Sequence, residues 1–150
     1  MRATHMNSQA RAAGFTLIEL MVTIIVGAIL VSIAGPAYMT QVRKSRRTEA
    51  KTAVLDLASR EERLYSTTNT YSADPATLGY TAFGVPIGGG YYKLGVVAPA
   101  GANPATYSVT ATAINSQLKD TACATFVVDQ TGKLTTQNSA ATDSTAQCLN

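Results

Sequence analysis

The sequence predicts an α+β fold: a long N-terminal helix, apolar and then amphipathic, packed on a C-terminal antiparallel sheet of about four strands. Three observations predict it. A run from Phe15 to Ala34 is almost wholly apolar and about 20 residues long, enough for a helix to cross a bilayer core. The stretch after it is charged, with apolar residues recurring near helical spacing. Beyond Gly90, short segments alternate apolar and polar residues around a glycine-containing turn.

The elements divide as 1–14, a short leading segment; 15–38, an apolar helix; 39–66, an amphipathic helical half; and 67–150, a β-rich head. Gly27, Gly35 and Pro36 weaken the helix, and Gly35-Pro36 predicts a kink or a melted turn. In the second half Ala50, Ala53, Val54, Leu57, Ala58, Leu64 and Tyr65 form the apolar face, and most charges fill the others. Glu61 and Glu62 are adjacent and do not face each other, so they read as solvent-facing partners of nearby arginines. Thr67 to Gly90 is polar and turn-rich, with Asp74-Pro75 favouring a turn and Gly88-Gly89-Gly90 a flexible link. Strands are expected at Tyr91–Val97, Thr106–Ala113, Thr125–Val128 and Lys133–Thr136. Asp129-Gln130-Thr131-Gly132 joins the last two as a hairpin, and Ser139–Gln147 reads as a loop.

Composition narrows the function. From Met39 onward there are ten Lys+Arg against eight Asp+Glu, which is not the charge balance of a dedicated nucleic-acid binder. His5 is the one histidine and precedes the apolar run. A serine or cysteine nucleophile therefore lacks a histidine base in the rest of the chain. The triple glycine is not followed by Gly-Lys-Ser/Thr, so it is no phosphate loop. Asp129 lacks the repeated acidic ligands of a calcium loop. No enzyme activity, cofactor or metal is expected.

The junction at the start of the apolar run is the most specific feature. Glu19 is an ionisable group at membrane depth, where it costs a few kcal/mol and usually has a partner. Cutting after Gly14 would free an amine on Phe15, able to pair with Glu19 of a neighbouring copy. A plain secretory signal has a shorter core, of about 7–15 residues. An ordinary single-pass anchor fits the length but explains neither Glu19 nor the Gly14-Phe15 junction. Gly-Phe-Thr-Leu-Ile-Glu ahead of an apolar helix resembles the type IV prepilin signal. The segment from Arg47 to Tyr80, RTEAKTAVLDLASREERLYSTTNTYSADPATLGY, resembles PilE-type minor pilins, and CATFVVDQTGKLTTQ their disulfide-bounded C-terminal region.

The resemblance implies a pilin fold, cleavage after Gly14 by a prepilin peptidase, and N-methylation of Phe15. It implies Glu19 pairing with the Phe15 amine in assembly, and a helix that loosens at Gly35-Pro36 in the filament. Its partners would be other pilin subunits, the inner-membrane assembly platform and an outer-membrane secretin. The chain would sit in the bacterial inner membrane with a periplasmic head, then in the pilus, serving twitching motility or adhesion. Related ComP-type pilins bind DNA in competence, and type II secretion pseudopilins share the signal. Ser66 to Tyr92 holds no Lys or Arg, so a basic DNA-binding loop is missing there, and the paired cysteines disfavour the pseudopilin.

An exported chain enters an oxidising compartment, where the pair Cys123 and Cys148 is normally bridged. Free buried thiols or a metal site are the alternatives; no CxxC spacing and no histidine outside the leader support metal. A bridge would close a loop of about 26 residues, for roughly 3–4 kcal/mol. The cluster Arg43, Lys44, Arg46 and Arg47 has three readings: lipid headgroups, acidic residues of neighbouring subunits, or weak nucleic-acid contact. By a plain positive-inside count it would hold the C-terminal side in the cytoplasm. The prepilin junction and the cysteine pair argue for export instead.

Overall fold

The computed structural model describes residues 14–98 and 106–149, so all of the expected leader except Gly14 lies outside the described residues. The chain divides into two units, Met1–Met39 and Thr40–Asn150. One helix, α1 (Leu17–Thr68), contributes to both.

In the first unit α1 starts at a side-chain cap. Thr16 Oγ1 accepts the Glu19 N–H at 3.3 Å, which satisfies one orphan donor of the first turn. Thr23 and Ser32 turn their hydroxyls back onto the carbonyls of Leu20 and Ile29, at 2.9 and 2.7 Å. These polar side chains are thus satisfied within an apolar helix. Of the kink or melted turn expected at Gly35-Pro36, the melted turn does not occur: α1 runs through both residues. Proline removes one ladder bond, and the helical turns on either side carry the segment across it.

The second unit is α+β, as predicted. α1 buries Ala50, Val54, Leu57, Ala58 and Glu61, and extends two residues past the expected end. Ala53, Leu64 and Tyr65 pack on the core partly buried. The sheet has five antiparallel strands in sequential order: β1 (Pro86–Ile87), β2 (Tyr92–Val97), β3 (Ser108–Ala113), β4 (Thr125–Asp129) and β5 (Leu134–Gln137). The additional strand is β1, a two-residue pairing of Pro86 and Ile87 with Lys93 and Tyr92. Alternation sets the buried face: Tyr92 and Leu94 on β2, Val109, Ala111 and Ala113 on β3, Phe126 and Val128 on β4. The Tyr92 and Phe126 rings meet edge to face at 5.9 Å. The β4–β5 turn is as expected, with Gly132 at φ 72° and the Asp129 carboxylate accepting the Thr131 N–H.

Two loop readings are corrected. The tail Ser139–Gln147 is partly structured: Asp143 bridges to Gln137, and a one-turn helix, α2, spans Thr145–Cys148. The glycine run is not an open link. Glu49 Oε1 accepts the Gly89 N–H at 2.7 Å, and a Cβ on Gly88 (φ 44°) would run into the Glu49 carboxylate. Glycine is required there by this close approach.

Candidate functional site

The first unit carries the signal-like junction. Gly14, Phe15 and Thr16 precede the helix, and the Phe15 side chain is 84% exposed. From Leu17 onward the large apolar side chains are exposed on every face. An 18-residue window of α1 has mean hydropathy 2.6 and nothing buried, so the helix is long and apolar enough to cross a membrane. A segment this apolar, with no protein covering it in the single chain, needs lipid or other apolar helices around it. Glu19 stands in its first turn, exposed. With Thr16 it forms the Thr-x-x-Glu spacing of a capping box, and its charge lies at the positive end of the helix dipole. Sequence reasoning passed over this local role, although the spacing was there to read.

The basic cluster lies in the second unit, and two of its four side chains are already engaged. Arg47 forms a two-pronged ion pair with Asp120, Nε to Oδ2 at 2.7 Å and Nη2 to Oδ1 at 2.8 Å. The side chains are only 16% and 5% exposed. Asp120 follows a 3-10 helix, Asn115–Lys119, that docks here. Gln117 Nε2 donates to Asp120 Oδ2 at 3.0 Å and to the Arg43 carbonyl at 3.4 Å. Arg46 lies 3.5 Å above the Tyr91 ring and donates to Ser116 Oγ at 3.1 Å. Arg46 and Arg47 therefore fasten the 3-10 segment to α1, Arg47 with two of its five N–H donors. Burial pushes the Tyr92 hydroxyl beside them up to about 12. Lys44 remains exposed.

Glu61 overturns the expectation of a solvent-facing carboxylate. It is fully buried, its Oε2 accepts the Ser72 N–H at 3.1 Å, and its Oε1 has no partner. Burial raises its pKa above 4.5. Its position continues the buried row Val54, Leu57, Ala58, and that spacing was the available signal. Glu62 is exposed as expected, but its partner is the Tyr71 hydroxyl at 3.2 Å. Tyr71 stacks on Tyr65 at 4.5 Å and tilts against Tyr107 at 4.6 Å, closing the end of the core.

Cys123 and Cys148 form the expected disulfide, with Cα atoms 5.9 Å apart. It ties α2 beneath β5, where the Thr136 N–H donates to Thr145 Oγ1 at 2.9 Å. Among the described residues no group of histidine, cysteine or acidic side chains is placed to hold a metal ion.

Comparison with known proteins adds the following. Residues 36–127 match the family described as type IV minor pilin ComP, DNA uptake sequence receptor. Residues 9–35 match the prokaryotic N-terminal methylation motif. Fimbrial protein EcpC of Eikenella corrodens is 38% identical over 90 residues, covering 60% of this chain and 57% of that protein. The type IV major pilin protein PilA of Myxococcus xanthus is 34% identical over 101 residues, 67% of this chain and 43% of its own. The chain thus spans about half the length of these curated relatives. A type IV pilin structure from Shewanella oneidensis aligns with 61% of this chain and 89% of its own, at 23% identity and a TM-score of 0.47.

Proposed function

Because this chain belongs to the ComP family of type IV minor pilins, we propose that it is a subunit of a type IV pilus, held in the inner membrane by α1 until assembly. The observation that carries this reading is the exposed apolar helix behind Gly14-Phe15, joined in one chain to a disulfide-closed head. In this reading a prepilin peptidase cuts after Gly14, Phe15 is N-methylated, and the new amine pairs with Glu19 of a neighbour. Gly35 and Pro36 are where the helix loosens in the filament. The head faces the periplasm, and the assembly platform and secretin handle the growing filament, for motility or adhesion. The family is a structural one, and no catalytic role is proposed.

Mass spectrometry of sheared pili tests this reading. The chain should be present with a methylated Phe15 at its N-terminus. A mature chain that begins at Ala37 or Tyr38, or is absent from pili, would overturn it.

A DNA receptor is the second reading, favoured by the description of the matching family. Against it, Ser66 to Tyr92 holds no cation, and Arg46 and Arg47 are spent on the head's own contacts. Binding of specific and scrambled duplexes across a salt series separates the two. Weak binding without sequence preference, falling steeply with salt, supports the structural reading. Sequence-dependent binding at physiological salt supports the receptor.

A further inference from the structure

One small cavity in the second unit gathers three cations, of which only Arg47 is paired with a carboxylate. Its volume is about 230 Å³, and it is lined by Lys44, Arg47, Thr48, Lys51, Gln147 and Cys148. The first four lie on one face of α1, at spacings of three and four residues. Like charges so spaced repel and weaken a helix. Arg47 is neutralised by Asp120, using two of its five N–H donors. Lys44 and Lys51 make no ion pair among the described residues. Among the described residues no carboxylate lines the cavity; Gln147 of α2, beside the buried disulfide, lines it too. The site offers two free ammonium groups, spare guanidinium N–H groups, a hydroxyl and an amide.

We propose that this cavity binds a phosphate group. A tetrahedral oxyanion can accept from these donors, and it relieves the crowding of Lys44 and Lys51 around Arg47. The cavity has room for the anion and accompanying water. The phosphate could be a phospholipid headgroup or a free phosphate. Lys44 is six residues along the chain from the end of the apolar segment expected at 15–38, which suits an anionic headgroup. The lipid source rests on the proposed membrane anchoring; the free-phosphate source does not.

The test uses the full chain in phosphatidylcholine nanodiscs, followed by amide NMR. One arm titrates inorganic phosphate; the other replaces half of the lipid with phosphatidylglycerol. Either source should shift the amide signals of Thr48, Lys51 and Gln147. Response to phosphate alone identifies a soluble ligand, and response to phosphatidylglycerol alone a headgroup. Lys44→Gln and Lys51→Gln should each weaken the response about tenfold, the scale of one charge-assisted hydrogen bond. The pair Lys93→Gln and Lys133→Gln, with the same change in net charge, should not. An unchanged thermal midpoint confirms that the variants fold. The proposal fails if neither source shifts those amides, if both lysine pairs act alike, or if only duplex DNA produces the response. Cleavage at Phe15, measured separately, reports on the pilin reading without reference to this cavity.

Discussion

Replacing Glu61 by Gln should stabilise the head at neutral pH. The wild-type carboxylate is fully buried, with one N–H donor and one unpartnered oxygen. A buried polar atom without a partner costs about 1–3 kcal/mol, more when charged. Gln keeps the volume and the oxygen that accepts from Ser72, and it removes the charge. Its new amide protons are left unpartnered in turn and take back part of the gain, so the expected net gain is about 1–2 kcal/mol. For a unit of this size the midpoint should rise by about 5–10 °C. The pH dependence supplies a sharper test. Because the folded-state pKa of Glu61 lies above 4.5, its contribution is fully present below 4.5 and is lost as pH rises through the folded value. Wild-type stability should therefore increase on acidification toward pH 4.5, and the Gln variant should lack that increase. Asp74, Asp129 and Asp143 act in the opposite sense. Hydrogen bonds from Thr77, Thr131 and Thr145 hold their pKa values below 3.8, so their contribution is lost only at lower pH. The assay is thermal unfolding of both full-length proteins in the same detergent across this range. A Gln variant less stable than wild type at neutral pH, or two parallel pH profiles, would refute the reasoning.

Glu19→Ala should leave membrane insertion intact and reduce incorporation into filaments, measured by quantitative mass spectrometry of sheared pili; wild-type incorporation would remove Glu19 from assembly. Cys148→Ser should cost about 3–4 kcal/mol of head stability, read from denaturant unfolding under oxidising conditions. Arg47→Ala leaves Asp120 buried without its partner and should cost about 3 kcal/mol, the lower end for a broken buried pair because Arg47 keeps some exposure. The same measurement on Lys44→Ala should show no more than about 0.5 kcal/mol of change, since that side chain is exposed and makes no ion pair.

The sequence made the fold legible wherever a pattern repeats often enough to be read. Eight residues of strict alternation, Thr106–Ala113, identified β3, and the Asp129–Gly132 turn identified the β4–β5 hairpin. β1 escaped because two residues, one of them proline, carry no period. α2 escaped because its four residues are too few to show a period and are held by the disulfide and the Thr136–Thr145 bond rather than by helix propensity. The intrachain partners of the basic cluster were hidden for a related reason. Arg46 and Arg47 look solvated from the sequence alone, and their partners Tyr91, Ser116 and Asp120 come from 45 to 73 residues further along. Glu61 was the avoidable error: the apolar row passes through it, and residue type outweighed position.

Glu19 shows how one residue can hold a local role and an intermolecular one. From the sequence, its cost at membrane depth called for a partner on another chain. In the single chain, part of that cost is already offset. The carboxylate stands at the N-terminal, positive end of α1. A lone subunit can therefore tolerate the charge before any neighbour arrives. Pairing with an amine in a filament would replace a helix-end interaction of about 0.3–1 kcal/mol with a charge pair in a low-dielectric surrounding. The difference between the two environments is what would favour the assembled state. The helix-end position is thus compatible with the proposed pairing, and in that reading it lowers the cost of the carboxylate before assembly.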